Sequence, residues 1–446
     1  MSASTVGSEL LEWLRERHTW TLGDPGSYSS LRVGENSGER GLFATEDVPA
    51  GATLLSVPAC MHIRAKNRFT AETVNREDDR LALELLNTIH AEPKNRRWAA
   101  WIAVLPATYT TPLHWSDATI ALLGDAELMS TIERQRARLQ RRYDALCKHL
   151  EAKRDDPDVA PGKCGDGPDV FGLSFEKYRW AYTTIRSRAA YAEYDDYPFD
   201  GARQAIVPVG DLFNHSTTAP NVAAAYDASL GYLQTGAYVY TALRPIAAGD
   251  ELLVSYGAHD NVTLLKHYGF VPRGPNPHDR VAVALDDAAD DGRLATGAAA
   301  RTWLAEQGFD SGHALTHDGP SFELLAALRL RHATDDEYRN GAAFAIAEGE
   351  AVSDANEARV WRAVGDLARA LARPPTEAED DRRRIDALRQ KPNVEPAEAH
   401  ELLAREFRVA RAALVEANVA RAEREARERE GEGGAKRRRT QASANS

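Results

Sequence analysis

The chain has 446 residues, of which 43% are hydrophobic and 27% charged, and a formal net charge of −12. That length suits two or three domains of about 100–200 residues each, with enough apolar residues to bury a core. The acidic balance argues against a general nucleic-acid binder, which carries a basic footprint, and leaves room for a basic protein substrate.

Taken in order, residues 1–30 open with MSASTVGSELLEWLRERHTW, a short amphipathic helix with Leu10, Leu11 and Leu14 on one face. Residues 31–58 read as strand, turn, strand, punctuated by Gly34, Gly38 and Gly41, with a turn at Val48-Pro-Ala-Gly51 before a strand at Thr53–Val57. The glycines around Gly41 could let the backbone approach a ligand. No long helix follows, so a Rossmann dinucleotide loop is disfavoured. Residues 80–150 are helical in pattern: Leu81, Leu85 and Ile89, then Trp98, Ile102 and Leu105 up to Pro106, then a long helix from Asp125 with Leu128, Ile132, Leu139, Leu146 and Leu150 as its core face. Residues 151–170 are a Pro-, Gly- and Asp-rich solvated loop. A helix resumes over 174–194, with Ser174 as half of a capping box and Ser187-Arg188 near its C-terminal part.

The stretch Ile206–Gly257 begins with Asp211-Leu-Phe-Asn214-His215, passes through strands and the turn Ala-Ala-Gly-Asp, and closes on Val254-Ser-Tyr256-Gly257. Asn261–Phe270 reads as a helix with Leu264 and Leu265 inward, broken at Gly269-Phe270. Residues 280–285 make a short strand. Helices follow at Thr296–Gln307, Pro320–Ala333, Ser353–Ala372 and Pro396–Glu428, the third with Val360, Val364, Leu367 and Leu371 on one face. Thr376-Glu-Ala-Glu379 resembles a helix N-terminus. Residues 429–446 form a disordered basic tail by composition, with Lys436–Arg439 a candidate nuclear signal. Cys60, Cys147 and Cys164 are far apart and form no CxxC pair, which points to reduced thiols rather than a disulfide framework or a thiolate zinc site. No run approaches the roughly 18 apolar residues of a membrane span. The expectation is a monomer of the cytoplasm, the nucleus or both, with no direct nucleic-acid or membrane partner.

The polar residues of the central stretch admit several readings. Asp211 and His215 at i, i+4 would share one helical face, as metal ligands can, but no third ligand has suitable spacing, so no metal is expected. A hydrogen-bonded core histidine and a strand-end core tyrosine at Tyr256 are the structural alternatives.

The ordered set ERGLFA, RSRA, DLFNH, SYG and HYGF resembles the SET-domain methyltransferases, and most closely the branch of the Rubisco large-subunit lysine methyltransferase and its actin-histidine-methylating relatives. The resemblance implies an α+β fold: a SET domain over 31–275, with a pseudoknot and a helical insertion at about 66–175, then an all-α substrate-binding domain over 276–428. It implies S-adenosyl-L-methionine as methyl donor. Gly38, Glu39 and Arg40 would present backbone to it, although the family often has glycine where Glu39 stands. Arg188 would contact its carboxylate, assisted by Ser187. Asn214 and His215 would hold it, Asp211 would fix the crossing or touch it, and Tyr268 and Phe270 would flank it. Tyr256 matches the catalytic tyrosine, also lining the cofactor. The cysteine cluster that closes many histone-directed SET domains is absent, which fits a non-histone protein substrate bound through the SET cleft and the helical domain. The histidine-methylating relatives carry asparagine after the arginine; Ala189 and Ala190 stand here, which favours lysine as acceptor. A histidine methyltransferase and a non-catalytic protein-binding module are the alternatives.

Overall fold

The computed structural model describes residues 9–14, 16, 30–36, 38–65, 76–95, 98–152, 173–192, 194, 203–230, 236–285 and 292–444. The chain divides into two compact units, one of residues 1–258 and 263–270, the other of 259–262 and 271–446. Most of the loop at 151–170, including Cys164, lies outside the described residues, as does most of the N-terminal segment. Residues 9–14 are helical, and Leu10, Leu11 and Leu14 are buried, as their spacing predicts.

The first unit is built from small sheets rather than one large one. Strands β1 (Leu31–Asn36) and β2 (Glu39–Ala44) form a hairpin in which Asn36 faces Glu39, and Gly38 takes φ +84° in its tight turn. Strand β3 (Thr53–Pro58) pairs with β9 (Ala237–Ala242), which also pairs with β8 (Val222–Asp227). Strand β4 (Ile63–Arg64) lies against β6 (Gln204–Ile206), flanked on its other side by β5 (Ala189–Tyr191). The last pair, β7 (Asn214–His215) and β10 (Leu253–Val254), is parallel. Leu42, Leu54, Leu55, Val57, Ile206 and Phe213 are buried in one core beneath these sheets.

The helical insertion contributes α1 (Glu77–Asn95) and α2 (Ala126–Ala152). On α2, Leu128, Ile132, Leu139, Leu146 and Leu150 are all buried, so the apolar stripe faces the core. The short helix Ala99–Ile102 departs from its expected face: Trp101 and Val104 are buried, while Trp98, Ile102 and Leu105 are only partly covered. Helix α3 (Phe175–Arg188) starts where Ser174 Oγ accepts from the Lys177 N–H. It ends at Arg188 rather than running to 194, because Ala189–Tyr191 leaves the helix to pair with β6.

Asn261–Phe270 is a short helical turn, Asn261–Thr263, followed by a π-helical turn, Leu264–Tyr268. Gly269 closes it at φ +77°, where an added Cβ would lie 2.5 Å from Thr110 Oγ1 and 3.0 Å from the Thr111 backbone nitrogen. Gly269→Ala therefore combines a left-handed backbone with a clash against main chain. A stability loss of about 1–3 kcal/mol is expected by denaturant unfolding; a loss within 0.5 kcal/mol, the usual scatter of neutral substitutions, would contradict it.

The second unit is mainly helical: α4 (Ala298–Glu306), α5 (Phe322–Arg331), α6 (Asp354–Leu371), α7 (Pro375–Arg389) and α8 (Pro396–Ala444). Val360 and Val364 of α6 pack with Val415 and Ala422 of α8 in its core. The expected all-helical make-up needs one amendment. Strands β11 (Arg280–Ala282), β12 (Ala314–Thr316) and β13 (Gly319–Pro320) form a small antiparallel sheet, whose Val281 and Leu315 complete the same core. The tail beyond 428 also departs from its expected disorder. Helix α8 continues to Ala444, because extending a formed helix is easier than starting one.

Candidate active site

The parallel pair β7–β10 sets Asn214 beside Leu253 and His215 beside Val254, and carries Tyr256 just beyond. Buried Asn221 locks the pair: its Nδ2 donates to Glu251 O at 2.9 Å and its Oδ1 accepts from the Leu253 N–H at 2.7 Å. The approach to β7 is a tight turn. Val209 takes φ +70°, the one non-glycine residue with positive φ among the described residues, a conformation costing about 1–3 kcal/mol. Gly210 follows because Tyr240 fills its side-chain space: a Cβ there would lie 2.1 Å from the Tyr240 hydroxyl. The Tyr240 ring stacks on Phe213 at 4.4 Å and 8°. Phe213 thereby holds its carbonyl where the Tyr256 hydroxyl donates to it at 2.6 Å.

Tyr256 is thus held at both ends. Its backbone N–H donates to His215 Nδ1 at 3.0 Å, and the two rings stack at 5.0 Å. Tyr268 also stacks on Tyr256 at 4.9 Å, and Phe270 lies 6.0 Å from His215 and 6.4 Å from Tyr268. Burial pushes the Tyr256 phenol well above its ordinary range, with the Arg188 charge pulling the other way. Burial also raises Tyr268, partly offset by Arg186. The site tyrosines are therefore neutral phenols at physiological pH.

Next to this aromatic group lies a buried charge pair. Arg188 Nη1 donates to Asp211 Oδ2 at 3.1 Å and to Asp211 O at 2.8 Å, and the Asp211 side chain is 0% exposed. Trp101 Nε1 donates to Asp211 Oδ1 at 3.3 Å. Burial pushes the Asp211 carboxyl up, while Arg188, Trp101 and Arg40 draw it back. The Arg40 guanidinium donates to Val104 O, and burial followed by the neighbouring Arg188 lowers its pKa.

The expected site residues are therefore placed as follows. Glu39 and Arg40 lie on β2, with Gly38 in the turn before them. The Arg40 carbonyl accepts from Asn214 Nδ2 at 3.1 Å, which ties the hairpin to β7. Asp211, Asn214, His215, Arg188, Tyr256, Tyr268 and Phe270 belong to the linked network just described. Ser187 does not join it: its hydroxyl donates to Thr183 O at 2.8 Å within its own helix. Trp101, Asn221, Tyr240 and Glu251 also belong to the network, and the motifs do not mark them. Trp101 is obscured by the helical face expected through Trp98, and Glu251 follows the turn Ala-Ala-Gly-Asp with no motif of its own.

S-adenosylmethionine presents a carboxylate, an ammonium and an adenine, and the polar inventory fits it. Arg188 Nε is buried and has no hydrogen-bond partner among the described residues. Both hydrogen bonds of the Asn214 amide use Nδ2, which leaves Oδ1 as an acceptor. Tyr268 and Phe270 offer aromatic faces.

Known proteins place this geometry. Residues 39–257 match the SET domain model, and residues 298–414 match the Rubisco LSMT substrate-binding model. SET domain-containing protein 4 of Mus musculus is 28% identical over 370 residues, 78% of this chain and 77% of that protein. The actin-histidine N-methyltransferase of Canis lupus familiaris is 28% identical over 369 residues, 77% of this chain and 58% of that protein. The crystal structure of the SET domain of LSMT bound to lysine and AdoHcy superposes with a TM-score of 0.63 at 18% identity, covering 96% of this chain and 93% of that one. The chain belongs to the SET-domain protein methyltransferases that carry a Rubisco LSMT substrate-binding domain, a family whose methyl donor is S-adenosylmethionine.

Proposed function

We propose that this protein methylates the side-chain amine of a lysine in a non-histone protein. The observation that carries the reading is the hydrogen bond from the Tyr256 hydroxyl to Phe213 O at 2.6 Å, beside Asn214 and His215. S-adenosylmethionine supplies an electrophilic methyl group on a sulfonium. The chain must bring a neutral amine to it. For a free lysine, deprotonation at pH 7 costs roughly 4.6 kcal/mol, and a buried site lowers that cost by disfavouring the ammonium.

Tyr256 is suited to orienting this amine rather than deprotonating it. Its proton is committed to Phe213 O and its pKa is raised, so its oxygen presents lone pairs to an incoming N–H. Those lone pairs also face the cation that forms at nitrogen as the methyl group arrives. Alignment of nucleophile and methyl group is the main gain. Lysine is favoured over histidine because Arg188 is followed by Ala189 and Ala190, which offer no amide to an imidazole ring. The likeness to an actin-histidine N-methyltransferase supports histidine as the second reading. Mass spectrometry of the methylated residue separates them. The Rubisco LSMT substrate-binding match supports the helical unit as the part that takes the protein substrate.

Asn214 is the direct test of the donor site. Asn214→Ala removes the amide that joins Arg40 O and Glu251, and calorimetry with S-adenosylhomocysteine is expected to show about tenfold weaker binding or more. Unchanged affinity would contradict the assignment.

A further inference from the structure

Glu251 has no part in the roles given so far, yet its carboxylate sits over the donor-site asparagine. Glu251 Oε1 accepts from Asn214 Nδ2 at 2.8 Å, and Oε2 accepts from Asn36 Nδ2 at 3.2 Å. The other partner of Asn214 Nδ2 is the Arg40 carbonyl at 3.1 Å. A carboxylate and a carbonyl are both acceptors, so only the NH2 side of the amide can face them. The carboxamide is therefore fixed in one of its two orientations, with Oδ1 turned away from both. We propose that Glu251 is a positioning residue: it sets the Asn214 amide so that Oδ1 stands as an acceptor for an N–H of the methyl donor. This rests on the methyltransferase reading above.

Two further features support the arrangement. Glu251 is itself fixed by the Asn221 amide at its carbonyl and by an isolated bridge opposite Phe43, whose hydrogen bonds join Ala44 to Asp250 and Leu252 to Leu42. Gly41 leaves the space the contact needs. A Cβ at that position would lie 2.6 Å from Glu251 Oε1 and 2.7 Å from Asn214 Nδ2, so any larger residue pushes into the pair. A glycine on β2, an amide on β7 and a carboxylate before β10 thus depend on one another.

The test is calorimetric titration of S-adenosylhomocysteine into the whole chain and three variants, each checked by thermal unfolding. Glu251→Met removes the acceptor at similar size, and a Kd about tenfold higher or more is expected. Glu251→Gln keeps an oxygen that can accept from Asn214 Nδ2, and its Kd is expected to stay within about threefold of the parent. Gly41→Ala leaves Glu251 present but displaces it, and reproduces the loss without touching either hydrogen-bonding residue. Wild-type affinity in Glu251→Met overturns the proposal. So does an equal loss in Glu251→Gln and Glu251→Met, which would mark charge rather than amide orientation as the cause. Absence of binding by the parent chain would instead overturn the methyltransferase reading itself.

Discussion

Tyr256→Phe is expected to slow methyl transfer by about tenfold or more while S-adenosylhomocysteine still binds. The substitution removes one oxygen and keeps the ring, so the stacking on His215 at 5.0 Å and Tyr268 at 4.9 Å survives. The backbone N–H of residue 256 still reaches His215 Nδ1. What is lost is the acceptor that orients the substrate N–H and the donor to Phe213 O. Loss of that internal hydrogen bond costs about 1–3 kcal/mol of stability if the carbonyl is left unsatisfied, so rates belong below the variant's unfolding transition. The pH profile separates orientation from base catalysis. A phenol held above its ordinary pKa keeps its proton through neutral and mildly alkaline pH. Any rise in rate over that range then reports the acceptor amine, and it should persist in Tyr256→Phe. A profile that loses its alkaline rise in the variant would make Tyr256 the base.

Arg188→Met should be the most destabilising change in the catalytic unit. It leaves the fully buried Asp211 carboxylate with the Trp101 N–H at 3.3 Å and no guanidinium at 3.1 Å. Removing one partner of a buried pair costs about 3–5 kcal/mol, because the remaining charge is desolvated and uncompensated. Asp211→Leu is expected to be comparably harmful, since it leaves Arg188 and Arg40 facing each other. Arg188→Met with Asp211→Leu removes both charges and should recover part of the loss, so the double-variant cycle reads the coupling. The pH dependence has a defined sign. Burial already pushes Asp211 above its unfolded value, and losing Arg188 pushes it further. The folded variant then holds a proton that the unfolded chain has released, so its stability falls as pH rises above the usual carboxylate range. Additive losses in the double variant would show that the two charges are not coupled.

Much of this architecture is written in local patterns. The stripe Leu128, Ile132, Leu139, Leu146 and Leu150 specifies its helix and its buried face, because a 3.6-residue repeat has one way to bury. The same holds for Val360 and Val364 on α6. Residues whose placement depends on distant partners were less legible. Ala189–Tyr191 has helical composition but becomes a strand, since pairing with Gln204–Ile206 outweighs propensity. Trp98 and Trp101 look alike in sequence, and only the fold buries Trp101 and sets its indole N–H against Asp211. Glu251 follows the turn Ala-Ala-Gly-Asp with no motif to mark it, and its contact with Asn214 appears only once β7 and β10 lie side by side. The site motifs were recognisable as a resemblance. The reasons for their order are three-dimensional: Gly210 makes room for Tyr240, Tyr240 stacks on Phe213, and Phe213 receives the hydroxyl of Tyr256.

Transfer of a methyl group to a protein lysine, with Tyr256 orienting the amine, is the proposed function. The most direct measurement incubates the chain and its Tyr256→Phe variant with methyl-labelled S-adenosylmethionine and a cell lysate, followed by mass spectrometry of the labelled protein. Label is expected on a lysine side-chain nitrogen with the parent chain, and at least about tenfold less with the variant. No protein label with the parent chain, label on a histidine ring nitrogen, or equal labelling by the two chains would contradict it.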